Sequence, residues 1–412
     1  MKQDSIWNKQ IDWKRLFTPS PKKPGRPPLK PSLPSKPSAS RPKQLSELWR
    51  TMKRPSSFLG MEITDSHVKL CELENNSGGV RVLQSARIEL PAGAMSDGRI
   101  VDSAELERTI GELLANRSWS SRKVHLAIPS QMVMMKTVKL PDLPDKQIEK
   151  LLRYELAHGL SLPFDRPYYD YYRIGPVMAD DSRMEAEFEE GTGLAGPRAS
   201  EMLCEVAIVA APTALLEQYT TLLHDAGLEP VSYEVKSFSL ARLNERTSAK
   251  AEAAEEGKAG EAGDAGTCIL MDVNTTNCEI TIVDEGIIRI MRNVEVQFER
   301  GGSPHAASLS PLSYLLDEDH HFNNACQDII AELERLLNFY RYKLNRRDRE
   351  FNRIMLTGSL ARMDRLRETL SSQMSRQVET AQWGLLKLAP DSAAIDVSAY
   401  AVPIGLAMRG RE

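Results

Sequence analysis

Long hydrophobic runs are missing from this sequence of 412 residues. No apolar stretch approaches the roughly 20 residues that a helix needs to cross a bilayer. The first residues also lack the apolar segment of a secretory signal, so a cytoplasmic location is expected. None of the five cysteines (Cys71, Cys204, Cys268, Cys278, Cys326) forms a CxxC pair, and four sit among apolar or strand-like neighbours. That spacing favours reduced structural thiols over a metal site or a disulfide framework. There is no Gly-x-Ser-x-Gly elbow and no Gly-Lys-Ser/Thr phosphate loop, which argues against a hydrolase nucleophile and against a P-loop NTPase.

What is present is unevenly divided. The net charge is −4, yet residues 1–57 hold 14 Lys/Arg against 3 Asp/Glu, about +11, leaving about −15 for the remainder. Ten of the 24 prolines fall in the same stretch, among Lys, Arg and Ser. Proline blocks helix and ladder, and so much charge with so little apolar surface cannot form a core, so residues 1–56 are expected to be a disordered basic tail. Trp7, Trp13 and Trp49 are interleaved with its basic residues. Such a tail is a flexible linker or a docking segment; an anionic membrane surface would suit it, each Lys/Arg contributing on the order of 1 kcal/mol. No nucleic-acid role is expected. The remaining length exceeds one compact core and calls for two or more lobes.

Two segments match each other. Phe58-Leu-Gly-Met-Glu62 and His67-Val-Lys-Leu-Cys-Glu-Leu73 flank a polar tip; Cys268–Asp272 and Glu279–Val283 flank another. In each, an acidic residue (Glu62, Asp272) ends the first apolar run and Ser/Thr/Asn/Asp residues fill the turn. After the first hairpin come a third strand (Arg81–Leu90), a helix near Ser103–Asn116, and strands at Val124–Pro129 and Val133–Leu140. Ile148, Leu151, Leu152, Leu156 and Leu160 repeat at helical spacing, with Asp142 or Asp145 as cap. Tyr168–Ile174 alternates as a strand, residues 179–201 read as a surface loop, and Glu201–Pro212 as a strand. A helix at Thr213–Gly227, a strand at Val231–Val235 and a helix at Ser237–Asn244 complete the first half. Residues 248–266 are Ala/Glu/Gly-rich and read as a linker. Beyond the second hairpin, Ile287–Val296 continues the sheet and residues 299–325 show no period. Asp328–Leu344 carries an apolar stripe, and Arg353–Leu356, the turn Thr357-Gly-Ser359 and the helix Leu360–Met374 follow.

This order resembles the actin-like (ribonuclease H-like) ATPase fold, an α/β architecture of two lobes. Within it the chain is similar to the PilM family of type IV pilus assembly. The stretch from Leu140-Pro-Asp-Leu-Pro-Asp through Leu152-Arg-Tyr-Glu-Leu-Ala-His and Leu162-Pro-Phe to Tyr169-Asp-Tyr171 carries the resemblance, with Leu336-Leu-Asn-Phe-Tyr340 and Ile354-Met-Leu-Thr-Gly-Ser359. It covers about residues 57–409. It implies a first lobe at 57–247 with a small β/α subdomain inserted at about 120–200, and a second lobe at 267–409. It also implies ATP with Mg²⁺ as ligand and the cytoplasmic N-terminal peptide of a PilN-like membrane protein as partner, with self-association into a ring beneath the membrane. The peptide groove would lie between the first lobe and the inserted subdomain.

In this fold phosphates are held by backbone N–H groups at hairpin tips, where glycine permits close approach. The resemblance places Glu62, Thr64, Asp65, Ser66 and Lys69 at the first tip, Asp272, Asn274, Thr275 and Thr276 at the second, and Gly358 and Ser359 at the adenosine turn. Thr64, Asn274 and Ser359 stand where the family pattern has glycine. A Cβ at a left-handed position costs roughly 1–2 kcal/mol, and Asp65 would repel phosphate, so a degenerate nucleotide site with inefficient hydrolysis is expected. Lys69 either meets a phosphate or is an exposed strand lysine. His320-His321, beside Asp317, Glu318 and Asp319, reads as a solvated loop more readily than as a metal site. Asp170, between Tyr168, Tyr169, Tyr171 and Tyr172, sits on a half-buried sheet face or a binding surface. The leading reading is a scaffold that binds a membrane protein's peptide. The alternatives are an FtsA-like polymerising scaffold, which favours a C-terminal membrane helix, and a phosphotransferase, which needs intact phosphate loops.

Overall fold

In a computed structural model, residues 57–409 are described apart from 77–78, 159–161, 165, 178–201, 255–266, 300–310, 345–348, 352, 375, 382–385 and 390–394. The basic tail, the acidic loop at 179–201 and most of the 248–266 segment lie outside the described residues.

The first hairpin is β1 (Ser57–Ile63) and β2 (His67–Asn76), extended by β3 (Gly79–Glu89). A two-rung ladder, β4 (Met95–Ser96) and β5 (Arg99–Ile100), leads to α1 (Ser103–Ala115), whose Asp102 side chain caps it by accepting from the Glu105 N–H at 3.0 Å. The parallel strands β6 (Lys123–Ile128) and β10 (Glu229–Val235) then complete the order β10-β6-β1-β2-β3. The second half repeats the plan: β11 (Cys268–Val273), β12 (Asn277–Asp284), β13 (Ile287–Glu295), β14 (Arg353–Gly358) and β15 (Gln377–Thr380) run in the order β13-β12-β11-β14-β15. Each sheet is an antiparallel meander joined to two parallel strands. A short strand from the second half, β16 (Lys387–Leu388), adds to the edge of β3 and stitches the sheets together.

Apolar faces explain the layers. α1 and α3 (Thr213–Asp225) cover one face of the first sheet through Leu106, Ile110, Leu113, Leu216, Tyr219 and Leu223. α5 (Pro311–Lys343) and α6 (Met363–Gln373) cover the second with Phe322, Ile329, Leu333, Leu337, Tyr340, Leu366 and Leu370. Between the sheets lies a shared core. It holds Leu240 and Leu243 of α4 (Lys236–Ala254), Ile404 and Leu406 of α7 (Ala401–Ala407), and Cys71, Val82, Leu270 and Met355 from the strands.

Four expectations require correction. The segment read as irregular at 299–325 is helical from Pro311, so α5 begins 17 residues earlier than its stripe; proline at the first helical position supplies the start. His320 and His321 therefore lie on a helix, and no metal-binding cluster occurs among the described residues. α4 runs on to Ala254, into the stretch read as linker, because Ala and Glu are strong helix formers. The inserted sheet is β7 (Met134–Pro141), β9 (Leu203–Pro212) and β8 (Pro167–Pro176), with α2 (Asp145–His158) against it. It therefore starts after β6 and ends at Pro212, a window shifted from 120–200. α7 is buried on all sides, so it is not the membrane-surface helix that the FtsA-like alternative favours. All five cysteines are buried and unpaired with each other, as their neighbours implied. Tyr172 is buried and Tyr168, Tyr169 and Tyr171 are half-buried, the sheet-face reading.

Candidate functional site

Both hairpin tips face a single cleft of about 560 Å³ between the lobes: Asp65 of the first and Thr276 of the second line it together. The strands behind the tips set the chemistry. In the β1–β2 ladder Glu62 opposes Lys69, and in the β11–β12 ladder the matching positions are Asp272 and Glu279. The first pair attracts across the ladder; the second sets like charges opposite each other and needs compensation.

Lys236 supplies it. As the first residue of α4, its ammonium lies 2.6 Å from Glu62 Oε1 and 3.6 Å from Asp272 Oδ2, with Lys69 Nζ donating to Glu62 Oε2 at 3.2 Å. Lys69, Lys236, Glu62, Asp272 and Glu279 are all at most 5% exposed. Burial alone would raise the Glu62 carboxyl, but Lys236 and then Lys69 hold it far below its ordinary value. Burial would likewise lower Lys236, yet Glu62, Asp272 and Glu279 hold it above the usual lysine range. Glu279 is raised by burial, opposed by Lys236 and by hydrogen bonds from the hydroxyls of Ser130 and Ser237. Asp272 accepts from Thr357 Oγ1 at 3.2 Å and from Asn274 Nδ2 at 3.1 Å.

At the tips the backbone N–H groups of Thr64, Ser66, His67 and Asn274 are engaged within the turns. Thr64 N–H donates to the His67 carbonyl (2.9 Å), and its hydroxyl accepts from His67 N–H (3.1 Å) and Ser66 N–H (3.4 Å). Asn274 N–H donates to the Asn277 carbonyl at 2.9 Å. At the Gly358-Ser359 turn Ser359 N–H donates to Val273 O at 3.0 Å and Gly358 N–H to Ser398 O at 3.3 Å. Gly358, at φ +111°, is the close-approach glycine: a Cβ there would meet Val273 O at 2.2 Å. Neither Thr64 nor Asn274 has a positive φ, so the strain expected from replacing glycine does not arise; side-chain closure of the turns takes its place. Asp65 points its carboxylate at the β4–β5 turn, accepting from Asp97 N–H (3.1 Å) and Gly98 N–H (3.0 Å). Lys69 is neither an exposed strand lysine nor open to a phosphate.

Beside Ser359, Arg362 and Arg365 lie over the Phe322 ring, 4.3 and 5.0 Å from its centroid, and both pair with Asp319. Two buried polar atoms, Asn274 Oδ1 and Ser359 Oγ, have no hydrogen-bond partner among the described residues. A Mg²⁺ ion requires oxygen ligands at about 2.0–2.1 Å in octahedral geometry. Between Glu62 and Asp272 it would share the space of an ammonium already at contact distance, so these residues do not fit the metal. Lys236 and Glu279 went unnoticed in the sequence because neither lies on a tip. The signal was there: a Lys directly after β10, and a Glu four residues past Thr275 in the ladder position opposite Asp272.

Residues 60–187 match the family model described as type IV pilus assembly protein PilM. The fold is similar to the solved PilM-PilN type IV pilus biogenesis complex, at 20% identity and TM-score 0.63, over 87% of this chain and 100% of that one. Weaker likenesses include the ethanolamine utilization protein EutJ from Carboxydothermus hydrogenoformans (12% identity, TM-score 0.43, 87% and 91% covered) and MreB5 of Spiroplasma citri bound to ADP (10%, 0.38, 85% and 94%). Residues 60–187 are thus similar to the PilM family, and the chain shares its fold with the PilM-PilN complex.

Proposed function

We propose that this protein is a scaffold of type IV pilus assembly that binds the cytoplasmic N-terminal peptide of a PilN-like membrane protein, with a nucleotide site too degenerate to drive the binding. The observation that carries the reading is the PilM match over residues 60–187, which include β7, α2 and β8 of the inserted sheet. The Lys236 ammonium between Glu62 and Asp272, with the engaged N–H groups of Thr64 and Asn274, supports the loss of Mg·ATP binding.

The seam between the first lobe and the inserted sheet, lined by Ile128, Val133, Tyr168, Val209 and Val235, leaves about 10 Å³. Alongside it, sharing Val133 and Val235, a cleft of about 440 Å³ sets Met134, Met135 and Met291 beside polar residues that include Gln131, Arg292 and Glu295. Methionines adapt to irregular apolar partners, and the apolar residues of the peptide enter here. The basic tail, residues 1–56, then lies against the anionic face of the membrane that anchors the partner. No helix among the described residues is long and apolar enough to cross a membrane.

Capture of a PilN-type N-terminal peptide by the full chain tests the reading. Binding is expected, with a loss of about tenfold or more on Met291→Lys in a chain that still unfolds cooperatively, since removing one apolar anchor costs upwards of 1.4 kcal/mol. No capture by the folded wild-type chain would refute it.

A further inference from the structure

We infer that Lys236 replaces the divalent cation of this fold: its ammonium sits between the carboxylates of the two hairpins and holds the lobes together with a cation belonging to the chain itself. The inference deepens the scaffold reading, since it makes lobe closure independent of Mg·nucleotide.

Three observations converge. Lys236 contacts Glu62 of the first sheet at 2.6 Å and Asp272 of the second at 3.6 Å, so one ammonium spans the lobes where a metal would. Its placement breaks a local preference. A positive charge is disfavoured at a helix N-terminus, yet Lys236 opens α4, and at 5% exposed it lies at a depth where a lysine persists only when paired. Such departures persist where the surroundings demand them, and here the demand is the like-charged ladder pair Asp272–Glu279. Around the ammonium, hydroxyls complete the join. Ser237, next in the helix, donates to Glu279 on the opposite lobe, and Thr281 Oγ1 donates to Ser237 Oγ at 2.7 Å.

The test follows Mn²⁺ binding by electron paramagnetic resonance, and Tm with and without Mg²⁺, in the full chain without nucleotide. Wild type is expected to leave Mn²⁺ free and to show no Tm shift in millimolar Mg²⁺. Lys236→Ala vacates the site: its Tm is expected to fall by several degrees, Mn²⁺ to bind at least tenfold more tightly than to wild type, and the divalent ion to restore part of the Tm. Stoichiometric Mn²⁺ binding by wild type, or an Ala variant with unchanged Tm, would overturn the inference. Should Lys236→Ala not fold, Glu62→Gln/Lys236→Met replaces it, because charge pairing makes the two changes non-additive. That double variant is expected to be more stable than Lys236→Met alone, and equal or lower stability counts against the lock. Peptide capture reads the scaffold alone: a wild type that excludes Mn²⁺ and binds no peptide sinks that reading and leaves this one standing.

Discussion

Two histidines are buried without charge. His67 is lowered to about 3 by burial and then by Lys69, and His125 to about 3 by burial and then by Arg409 and Arg242. Each therefore binds fewer protons folded than unfolded between pH ~6.5 and about 3, and stability must rise with pH across that window. Both contributions are complete above pH ~6.5 and are lost as the pH falls toward 3, at up to about 1.4 kcal/mol per pH unit each. Denaturant unfolding at pH 7, 6 and 5 checks this. His125→Gln, which keeps a polar group near Ser232 Oγ (2.7 Å from the imidazole), is expected to flatten the slope by close to one proton. Equal slopes in wild type and variant would contradict the assignment. At this scale the sequence was partly legible. The carboxylates Glu62 and Asp272 stood out by ending their strands, whereas the partners of Glu62 depend on ladder register (Lys69) and on a distant helix (Lys236), neither of which a local pattern carries.

Elements were easier to anticipate where one face is apolar. The hairpins, β13, α1, α3 and the C-terminal part of α5 each show the period that their packing requires. α7 shows none, because Ala401, Val402, Ile404, Leu406 and Ala407 are buried all round and its proline and glycine discourage a helical reading. Yet α7 is packed closely: a Cβ on Gly60 of β1 would meet the Pro403 carbonyl at 1.9 Å, and one on Gly405 would meet the Ser239 carbonyl at 2.2 Å. Gly60→Ala is expected to force β1 and α7 apart and to destabilise by about 1–3 kcal/mol or more, the usual cost of overpacking. Thermal unfolding reads it, and an unchanged Tm would mean that α7 does not lie on β1.

Over the whole molecule, the repeated hairpin foretold two sheets of like order, since a duplicated meander with two parallel strands recurs in each lobe. What it could not foretell is how firmly the lobes are joined. Besides Lys236, Tyr172 of the inserted sheet donates its hydroxyl to the Ile288 carbonyl at 2.6 Å, and Arg289 approaches Glu205 at 3.7 Å. Tyr172, Ile174, Val209 and Val235 form a cluster with Ile287 and Met291, so the inserted sheet packs on both lobes. On the proposed scaffold reading, a body held in this way has little to gain from nucleotide, since a ligand shifts an equilibrium only by its differential affinity for two states.

Calorimetric titration of a PilN-type N-terminal peptide into the full-length chain, with and without Mg·ATP, tests the account most directly. The account predicts binding with the same Kd in both conditions and no heat from Mg·ATP alone; binding that appears only when Mg·ATP is present would contradict it.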